Sequence, residues 1–336
     1  MAVILNGTDS PYWDEAVQGL RHGKLVVFPT ETVYGLGANA LLPEAVGRIF
    51  LAKGRPADNP LIVHGAALDI LIPLVSGFPE CAAKLAERFW PGPLTIILKA
   101  SPAVDKTVTG GLSTVALRIP SHPAALKILG DSGIPVAAPS ANLSGKPSPT
   151  CLAHVVEDLE EKVDYIIDGG RCRIGLESTV VDLSGTVPVV LRPGGISREE
   201  LEAVCGPVGM GGHRPDRFPK APGMKYRHYA PDADLIVIES QEDTAGILAR
   251  EAAKWMAKGK KVGALVYDET DCAADIVKKL GSKARPETAA RRLFAYLREM
   301  DSRGVDIILV EGIPPEGIGL AIMNRLQKAA GKGRTR

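Results

Sequence analysis

The amino-acid sequence predicts an α/β protein built from two domains and a linker. Short apolar runs alternate with amphipathic helical segments through the first two-thirds of the chain, which indicates one large open mixed sheet with helices. Between residues 206 and 233 the sequence is dense in Gly, Pro and cations, as linkers are. A β-α-β-α-α-β succession follows and indicates a small Rossmann-like parallel α/β domain. The predicted boundaries are 1–208 for the first domain, 209–232 for the linker and 233–336 for the small domain.

The first domain opens with a predicted helix that has Ser10 as its N-cap and Pro11 in its first turn, and that ends at Gly23. A buried strand, KLVVF, follows directly. Two later helices are predicted from the amphipathic segments PEAVGRIFLAK and PECAAKLAERFW. The other apolar runs predict strands at LIVH, LTIILK, TVALRIP, PVAAPS, YIID, STVVDL and PVVLRP.

The small domain shows a more regular alternation. The run DLIVIE predicts its first strand, and AGILAREAAKWMAKG predicts a long amphipathic helix. KVGALVY predicts a second strand, two further helices follow, and VDIILVEG predicts the last strand. Strands that alternate with helices in this way are typical of a parallel sheet.

Composition excludes several classes of protein. The chain has 336 residues, of which 45% are hydrophobic and 24% charged, so it can form two packed cores and is not of disordered composition. A net charge of +1 and only 5% aromatic residues argue against a broad nucleic-acid-binding surface. The sequence contains no signal peptide and no run of about 18 apolar residues, so we expect a cytoplasmic protein with no membrane contact.

The familiar metal, nucleotide and disulfide signatures are missing. There is no P-loop, no strand-linked G-x-G-x-x-G and no H-E-x-x-H, and no residue is assigned as a metal ligand. The five cysteines are scattered and form no C-x-x-C pair, which implies neither a disulfide framework nor a zinc ribbon and fits a reducing compartment.

Five polar clusters are predicted at strand ends instead. They are rich in Arg, Lys, Ser, Thr and Asn, and they read PTETVYGLG, KGRPADNP, PSANLSGKPSPT, GLESTVVD and LRPGG. Each could be an ordinary loop with turn residues. Because all five are predicted to end strands of one sheet, we expect them to form the rim of a single anion-lined crevice.

The second cluster places two cations on a stiff backbone. Pro56 and Pro60 prevent the preceding helix from continuing, so Lys53 and Arg55 leave the helix end with few conformations available. Two fixed cations suit a phosphate. The alternative is a pair of solvated surface charges, with Lys53 also complementing the helix dipole.

Several of these strings, in this order, match a known family. PTETVYGLG, the K-x-R of Lys53 and Arg55, WPGPLT, the S-x-N of Ser140 and Asn142, and ESTVVD resemble the YrdC-like family of threonylcarbamoyl-AMP synthases. The segment APGMKYRHYAP and the small domain that follows it resemble the long, two-domain form of that family. The resemblance implies a YrdC-like twisted open mixed sheet for the first domain.

The resemblance also implies an activity. ATP, L-threonine and bicarbonate or CO₂ would combine to threonylcarbamoyl-AMP and pyrophosphate, with Mg²⁺ on the phosphates. A downstream threonylcarbamoyl transferase would then use the product to modify tRNA, so that tRNA is an indirect partner.

The site residues implied by the resemblance form two groups. Those expected to contact threonine are Thr32, His64, Arg118, Ala138 and Ser178. Those expected to line the ATP site are Lys53, Arg55, Asn59, Thr114, Ser140, Asn142, Ser148, Arg192 and, from the linker, Tyr226. Lys53 and Arg55, placed on the triphosphate, are the predicted catalytic residues.

The residue types support part of this assignment without the resemblance. The guanidinium of Arg118 suits a carboxylate, although an exposed strand arginine in a salt bridge is the alternative. His64 could equally be a structural histidine, and the Ser178 hydroxyl could be a turn or cap group. Two other activities remain open from the residues alone: an RNA-binding module without turnover, and a ligase that adenylates another carboxylate.

The linker is predicted to do more than separate domains. APGMKYRHYAP adds Lys225, Arg227 and His228 to two tyrosines, a chemistry that a spacer does not need. We expect this segment to fold over the crevice as a lid, with Tyr226 reaching the nucleotide. A basic loop solvated on both sides is the alternative.

Overall fold

The computed structural model of the chain describes residues 1–211, 228–239 and 243–331. These residues form two compact units. The first comprises Met1–Ser144, Pro149–Arg173 and the described residues from Glu177 onward to 211, and the second comprises Gly145–Ser148, Ile174–Leu176 and the described residues from 228 onward. Most of the predicted lid, including Lys225, Tyr226 and Arg227, lies outside the described residues.

The first unit is built on one mixed sheet. Its strands are β1 (Val3–Asn6), β2 (Val26–Phe28), β3 (Gly35–Asn39), β4 (Ile62–His64), β5 (Leu94–Lys99), β6 (Thr114–Arg118), β7 (Val136–Ala137), β8 (Tyr165–Asp168), β9 (Thr179–Asp182), β10 (Val189–Arg192) and β11 (Gly209–Met210). Their order across the sheet is β1-β8-β2-β3-β7-β4-β6-β5-β9-β10-β11. In the middle of the sheet, β4 runs parallel to β6 and β5 runs parallel to β9, while β5 and β6 are antiparallel.

Helices cover both faces of this sheet. They are α1 (Trp13–Arg21), α2 (Pro43–Lys53), α3 (Leu68–Leu71), α4 (Glu80–Phe89), α5 (Lys106–Thr109), α6 (Pro123–Ser132), α7 (Leu152–Leu159) and α8 (Arg198–Cys205), with a 3₁₀ turn at Ile72–Leu74. Val26 and Phe28 of β2 belong to a core with α1 and α6, whereas Val27 belongs to a core with α2 and α7. Alternate residues of one strand therefore pack into two separate cores, as the period of two requires.

All eight apolar runs predicted as strands in the first domain contain a strand, and both predicted amphipathic helices are present as α2 and α4. The predicted start of α1 is wrong, because the helix begins at Trp13 with Tyr12 as its N-cap. The Trp13 N–H donates to the Ser10 carbonyl at 3.0 Å, so Ser10 closes a separate turn before the helix. Gly23 follows the helix with φ of +88°, as expected of a terminator.

Strand β3 was not predicted, because its sequence GLGAN reads as a glycine-rich loop. The structure gives the reason for one of these glycines. A Cβ on Gly37 would lie 2.7 Å from Phe28 Cε1 and 2.9 Å from Val136 Cγ1, so only glycine lets the neighbouring side chains approach this strand. The glycine content therefore reflects close packing inside the sheet.

A disulfide joins Cys81 and Cys205, which corrects the expectation that the chain has none. The two residues are 124 positions apart in sequence, and their Cα atoms are 5.7 Å apart because α4 packs beside α8. Cysteine spacing along the chain carries no information about such a pair. Cys172 is buried with a free thiol, and Cys151 and Cys272 are partly exposed with free thiols.

The second unit contains a four-stranded sheet that is parallel throughout. Its elements are β12 (Asp234–Ile238), α9 (Thr244–Met256), β13 (Val262–Val266), β14 (Ile276–Lys279), α10 (Pro286–Ser302), β15 (Ile307–Glu311) and α11 (Ile318–Ala330). The strand order is β12-β15-β13-β14. The Rossmann-like parallel arrangement is as predicted, but one predicted helix is wrong: residues 276–279 form the edge strand β14. An edge strand that is only half-buried has no strong apolar run to reveal it.

No helix among the described residues is both long enough and apolar enough to span a lipid bilayer.

Candidate functional site

Two of the predicted residues meet at neighbouring strand ends. His64 is the last residue of β4 and Arg118 is the last residue of β6. Because these strands run parallel in this register, His64 and Arg118 are direct cross-strand neighbours. Both side chains are buried.

Arg118 is held by a buried ion pair. Its Nη2 donates to Glu31 Oε1 at 2.7 Å and to Thr32 Oγ1 at 2.9 Å, while its Nε donates to the Gly92 carbonyl at 3.2 Å. The exposed-arginine alternative is therefore wrong, since the Arg118 and Glu31 side chains are only 5% and 3% exposed. A buried guanidinium fixed at the end of a strand is suited to bind a carboxylate.

Glu31 was not among the predicted site residues. It lies inside the first polar cluster, between two threonines, and its second oxygen accepts the Ser121 N–H at 3.0 Å. The available signal in the sequence was an acidic residue flanked by two threonine hydroxyls. Its partner, Arg118, is 87 residues away, so no local pattern could have revealed the pair.

His64 is neutral in the folded protein. Burial, reinforced by the positive charge of Arg118, lowers the pKa of His64 to about 3. Its Nδ1 lies 3.2 Å from the Ile62 carbonyl oxygen, which accepts a hydrogen bond from the tautomer that is protonated at Nδ1. A neutral imidazole beside a guanidinium leaves the arginine as the cation of this cluster.

A second cluster surrounds Ser178, which immediately precedes β9. Arg192, the last residue of β10, donates from Nε to the Ser178 carbonyl at 3.1 Å and from Nη2 to Ser178 Oγ at 3.0 Å. Ser178 Oγ also lies 2.8 Å from Thr95 Oγ1 on β5. Thr95 was not predicted to take part in the site.

Lys53 lies at the end of α2, against the segment that holds Ser140 and Asn142. Its Nζ donates to the Ser140 carbonyl at 2.5 Å and also to the Asn142 carbonyl. The Ser140 hydroxyl donates to Asn142 Oδ1 at 2.5 Å. The surface-charge alternative for Lys53 is wrong, because the side chain is buried.

Arg55 is buried as well and folds back over its own loop. Gly54 has φ of +60°, which lets the chain reverse at the end of α2. The Arg55 Nη2 then donates to the Pro60 carbonyl at 3.0 Å, and its Nε lies 3.4 Å from the Asn59 carbonyl. Asn59 Oδ1 is buried and has no hydrogen-bond partner among the residues that the structure describes. The loop therefore presents an unused oxygen acceptor in its interior.

The remaining predicted residues are more dispersed. Thr114 is the buried first residue of β6, the strand that ends at Arg118. Ala138 follows β7 and donates its N–H to the Ile62 carbonyl at 2.9 Å, next to the strand that carries His64. Ser148 is buried and belongs to the second unit, and Tyr226 lies outside the described residues.

The chain matches two family models. Residues 18–194 match the Sua5/yciO/yrdC family, described as telomere recombination, and residues 196–331 match the C-terminal domain of threonylcarbamoyl-AMP synthase. These matches account for both parts of the predicted architecture.

Curated relatives are similar over most of their length. Threonylcarbamoyl-AMP synthase of Pyrococcus abyssi (strain GE5 / Orsay) is 55% identical over 317 residues, which cover 93% of this chain and 92% of the relative. Threonylcarbamoyl-AMP synthase of Bacillus subtilis (strain 168) is 49% identical over 329 residues, covering 96% and 94%. The crystal structure of P. abyssi Sua5 complexed with L-threonine matches with a TM-score of 0.94 and 50% identity, covering 100% of this chain and 98% of that one.

Proposed function

Because the chain belongs to the two-domain threonylcarbamoyl-AMP synthase family, we propose that it joins L-threonine, bicarbonate and ATP into threonylcarbamoyl-AMP and pyrophosphate. The observation that carries this proposal is the buried cluster around Arg118, which offers a fixed guanidinium, a hydroxyl and a neutral imidazole at adjacent strand ends. An amino acid with a carboxylate and a hydroxyl suits these groups. The relative from P. abyssi has been crystallised with L-threonine.

In the proposed threonine site, Arg118 binds the substrate carboxylate and Thr32 supports it from the same side. His64 and Ala138 line the neighbouring strand ends, and Ser178 contributes a hydroxyl from the start of β9. Burial of these groups supports the proposal, since a charge-assisted bond gains strength where water is excluded.

In the proposed ATP site, Lys53 and Arg55 bind the triphosphate from the loop after α2. Ser140, Asn142 and Arg192 contribute polar groups from neighbouring segments. Asn59, Thr114, Ser148 and Tyr226 complete the proposed set.

The chemistry that these residues can supply is placement and charge stabilisation. Transfer of the adenylyl group puts negative charge on the departing pyrophosphate, and preorganised cations stabilise that charge without reorganising. Lys53 and Arg55 are each fixed by backbone carbonyls, so their positions do not depend on the ligand. A carbamate formed on the threonine amine would be the attacking group.

Magnesium is proposed as the ion that accompanies ATP. The described residues contain no group of three or more His, Cys, Asp and Glu side chains able to hold a metal ion. Such an ion would be held mainly by phosphate oxygens and water. The unused Asn59 Oδ1 is an amide oxygen that would coordinate Mg²⁺ or accept a hydrogen bond from one of its waters. When bound, it would neutralise phosphate charge.

The partners follow from the product. A mixed anhydride such as threonylcarbamoyl-AMP has to be consumed by an acyl transferase, and we propose a threonylcarbamoyl transferase that acts on tRNA, which makes tRNA an indirect partner. A cytoplasmic location is proposed on the same ground.

One assay tests the proposed function. The full chain is incubated with ATP, Mg²⁺ and bicarbonate together with each amino acid in turn, and pyrophosphate is measured. Release that requires both threonine and bicarbonate is the expected result. Release without bicarbonate would instead indicate a ligase that adenylates a carboxylate directly, and retention of tRNA on a filter without any turnover would indicate an RNA-binding module.

A further inference from the structure

Two buried hydroxyls share one hydrogen bond beside the proposed threonine site. Thr95 and Ser178 are both fully buried, and their hydroxyl oxygens lie 2.8 Å apart. Ser178 Oγ also accepts a hydrogen bond from Arg192 Nη2 at 3.0 Å. A guanidinium can only donate, so one lone pair of Ser178 is committed to it.

The two hydroxyls carry one proton more than their contacts can use. Each hydroxyl has one proton, and the bond between them uses a single one. The described residues offer neither hydroxyl another acceptor: Thr95 Oγ1 contacts Ser178 alone, and Ser178 Oγ contacts Thr95 and Arg192. Buried donors in folded proteins normally have an acceptor. Among the described residues, this surplus proton is therefore free to meet an acceptor that a ligand supplies.

The surroundings decide which hydroxyl points to that ligand. Ile97, two residues along the same face of β5 as Thr95, packs into an apolar cluster with Ile62, Ala116 and Val180. No side chain in that cluster can accept a hydrogen bond. Ser178, in contrast, lies in a polar cluster beside the cation of Arg192, which attracts an anionic oxygen.

We propose that Thr95 is a positioning residue. Its hydroxyl donates a hydrogen bond to Ser178 Oγ, and this orients the Ser178 hydroxyl to donate to an anionic oxygen of the substrate. This inference rests on the proposed function, because it takes Ser178 as a residue of the threonine site. An ammonium group cannot accept this hydrogen bond, and a phosphate oxygen would reveal itself in the KM for ATP. Because Ser178 is taken as a residue of the threonine site, the oxygen is assigned either to the threonine carboxylate or to the bicarbonate-derived carbamate.

The test uses four variants of the full chain and one control. Thr95→Val removes the hydroxyl and keeps the shape of the side chain, and Thr95→Ser keeps a hydroxyl at this position. Ser178→Ala removes the hydroxyl through which Thr95 is proposed to act. The fourth variant combines Thr95→Val with Ser178→Ala. Ser132→Ala is the control, since it removes a buried hydroxyl that donates to the Leu129 carbonyl of the same helix, α6. Pyrophosphate release gives kcat and a KM for threonine, for bicarbonate and for ATP.

We expect Thr95→Val to raise one KM by about tenfold, the scale of one hydrogen bond to a charged group. A raised KM for threonine assigns the oxygen to its carboxylate, and a raised KM for bicarbonate assigns it to the carbamate. The KM for ATP stays unchanged, Thr95→Ser restores the wild-type value, and Thr95→Val has no further effect once Ser178 is alanine.

Three outcomes would overturn the inference: unchanged KM values in Thr95→Val, an equal rise of all three, or an undiminished effect in the Ser178→Ala background. If Thr95→Val does not fold by circular dichroism, Thr95→Ala is the second variant without a hydroxyl and is held to the same outcomes. Failure of the proposed function is distinguishable, because wild-type protein would then release no pyrophosphate that depends on threonine and bicarbonate.

Discussion

The buried pair of Arg118 and Glu31 allows a prediction of stability that is independent of any ligand. Glu31→Gln keeps the shape of the side chain and the Oε1 acceptor but removes the negative charge. The two charged atoms are 2.7 Å apart, and the side chains are 5% and 3% exposed, so solvent screens them little. The variant leaves Arg118 as a buried cation without its carboxylate.

The size of the effect follows from this geometry. At an effective dielectric constant of about 20, two unit charges 2.7 Å apart attract by roughly 6 kcal/mol before desolvation is subtracted. Removing one partner of a buried pair costs about 3–5 kcal/mol in proteins, because the other charge stays buried. We therefore expect Glu31→Gln to lower the free energy of unfolding by about 3–5 kcal/mol.

Urea unfolding followed by circular dichroism measures this loss. Glu80→Gln is the matched control: Glu80 and Lys84 are also 2.7 Å apart, but their side chains are 82% and 55% exposed, so we expect no measurable change. Adding Arg118→Met to Glu31→Gln should restore part of the stability, since no uncompensated charge then remains. Under the proposed assignment, saturating threonine should also stabilise Glu31→Gln more than wild type, because its carboxylate replaces the missing charge. A loss below about 1 kcal/mol in Glu31→Gln would refute the reasoning, since that is the range of exposed pairs.

Three further predictions concern other parts of the first unit. Lys53→Ala and Arg55→Ala should each lower turnover by about a hundredfold or more in the pyrophosphate assay, which is the usual scale for losing a charge aimed at a transition state. The control Arg48→Ala removes an exposed cation of α2 and should leave turnover unchanged. Burial and the neighbouring guanidinium lower the pKa of His64 to about 3, so only the unfolded chain takes up this proton as the pH falls through about 6.5. The free energy of unfolding should therefore drop by about 1.4 kcal/mol between pH 7.5 and 5.5. Urea titrations at the two pH values measure this drop, and His64→Asn should lack it. Cys205→Ser should lower the free energy of unfolding by about 2–5 kcal/mol, and a reducing agent should destabilise wild type to the same extent but leave the variant unchanged.

The fold was predictable where burial on both faces of a strand leaves a continuous apolar run, whereas the edge strand β1 was not predicted. Strands such as β5 and β6 are hydrophobic on both faces because helices cover the sheet, and their sequences show it. Strand β3 was not predictable, because the close approach of Phe28 to Gly37 requires glycines that read as a loop. Strand β14 was missed because it is a half-buried edge.

The candidate site shows the same division. The resemblance implied site roles for Arg118 and Ser178, yet neither Glu31 nor Thr95 was expected to belong with them. Both act through a partner more than eighty residues away, at 87 and 83 positions respectively. Which residues form such pairs depends on the order of the strands across the sheet, and no local sequence pattern predicts that order.

The position of β1 in the sheet determines how late in synthesis this strand can pair. Among the strands that the structure describes, β1 pairs only with β8, in the register Val3 with Tyr165, so the N-terminal segment leaves the ribosome about 160 residues before this partner exists. At roughly 5–20 residues per second, the apolar residues of β1 stay without their strand partner for about 8–30 s. Strand β8 is also the parallel neighbour of β2. Once β8 has been synthesised it can pair with both β1 and β2, which completes this edge of the sheet in a single late step.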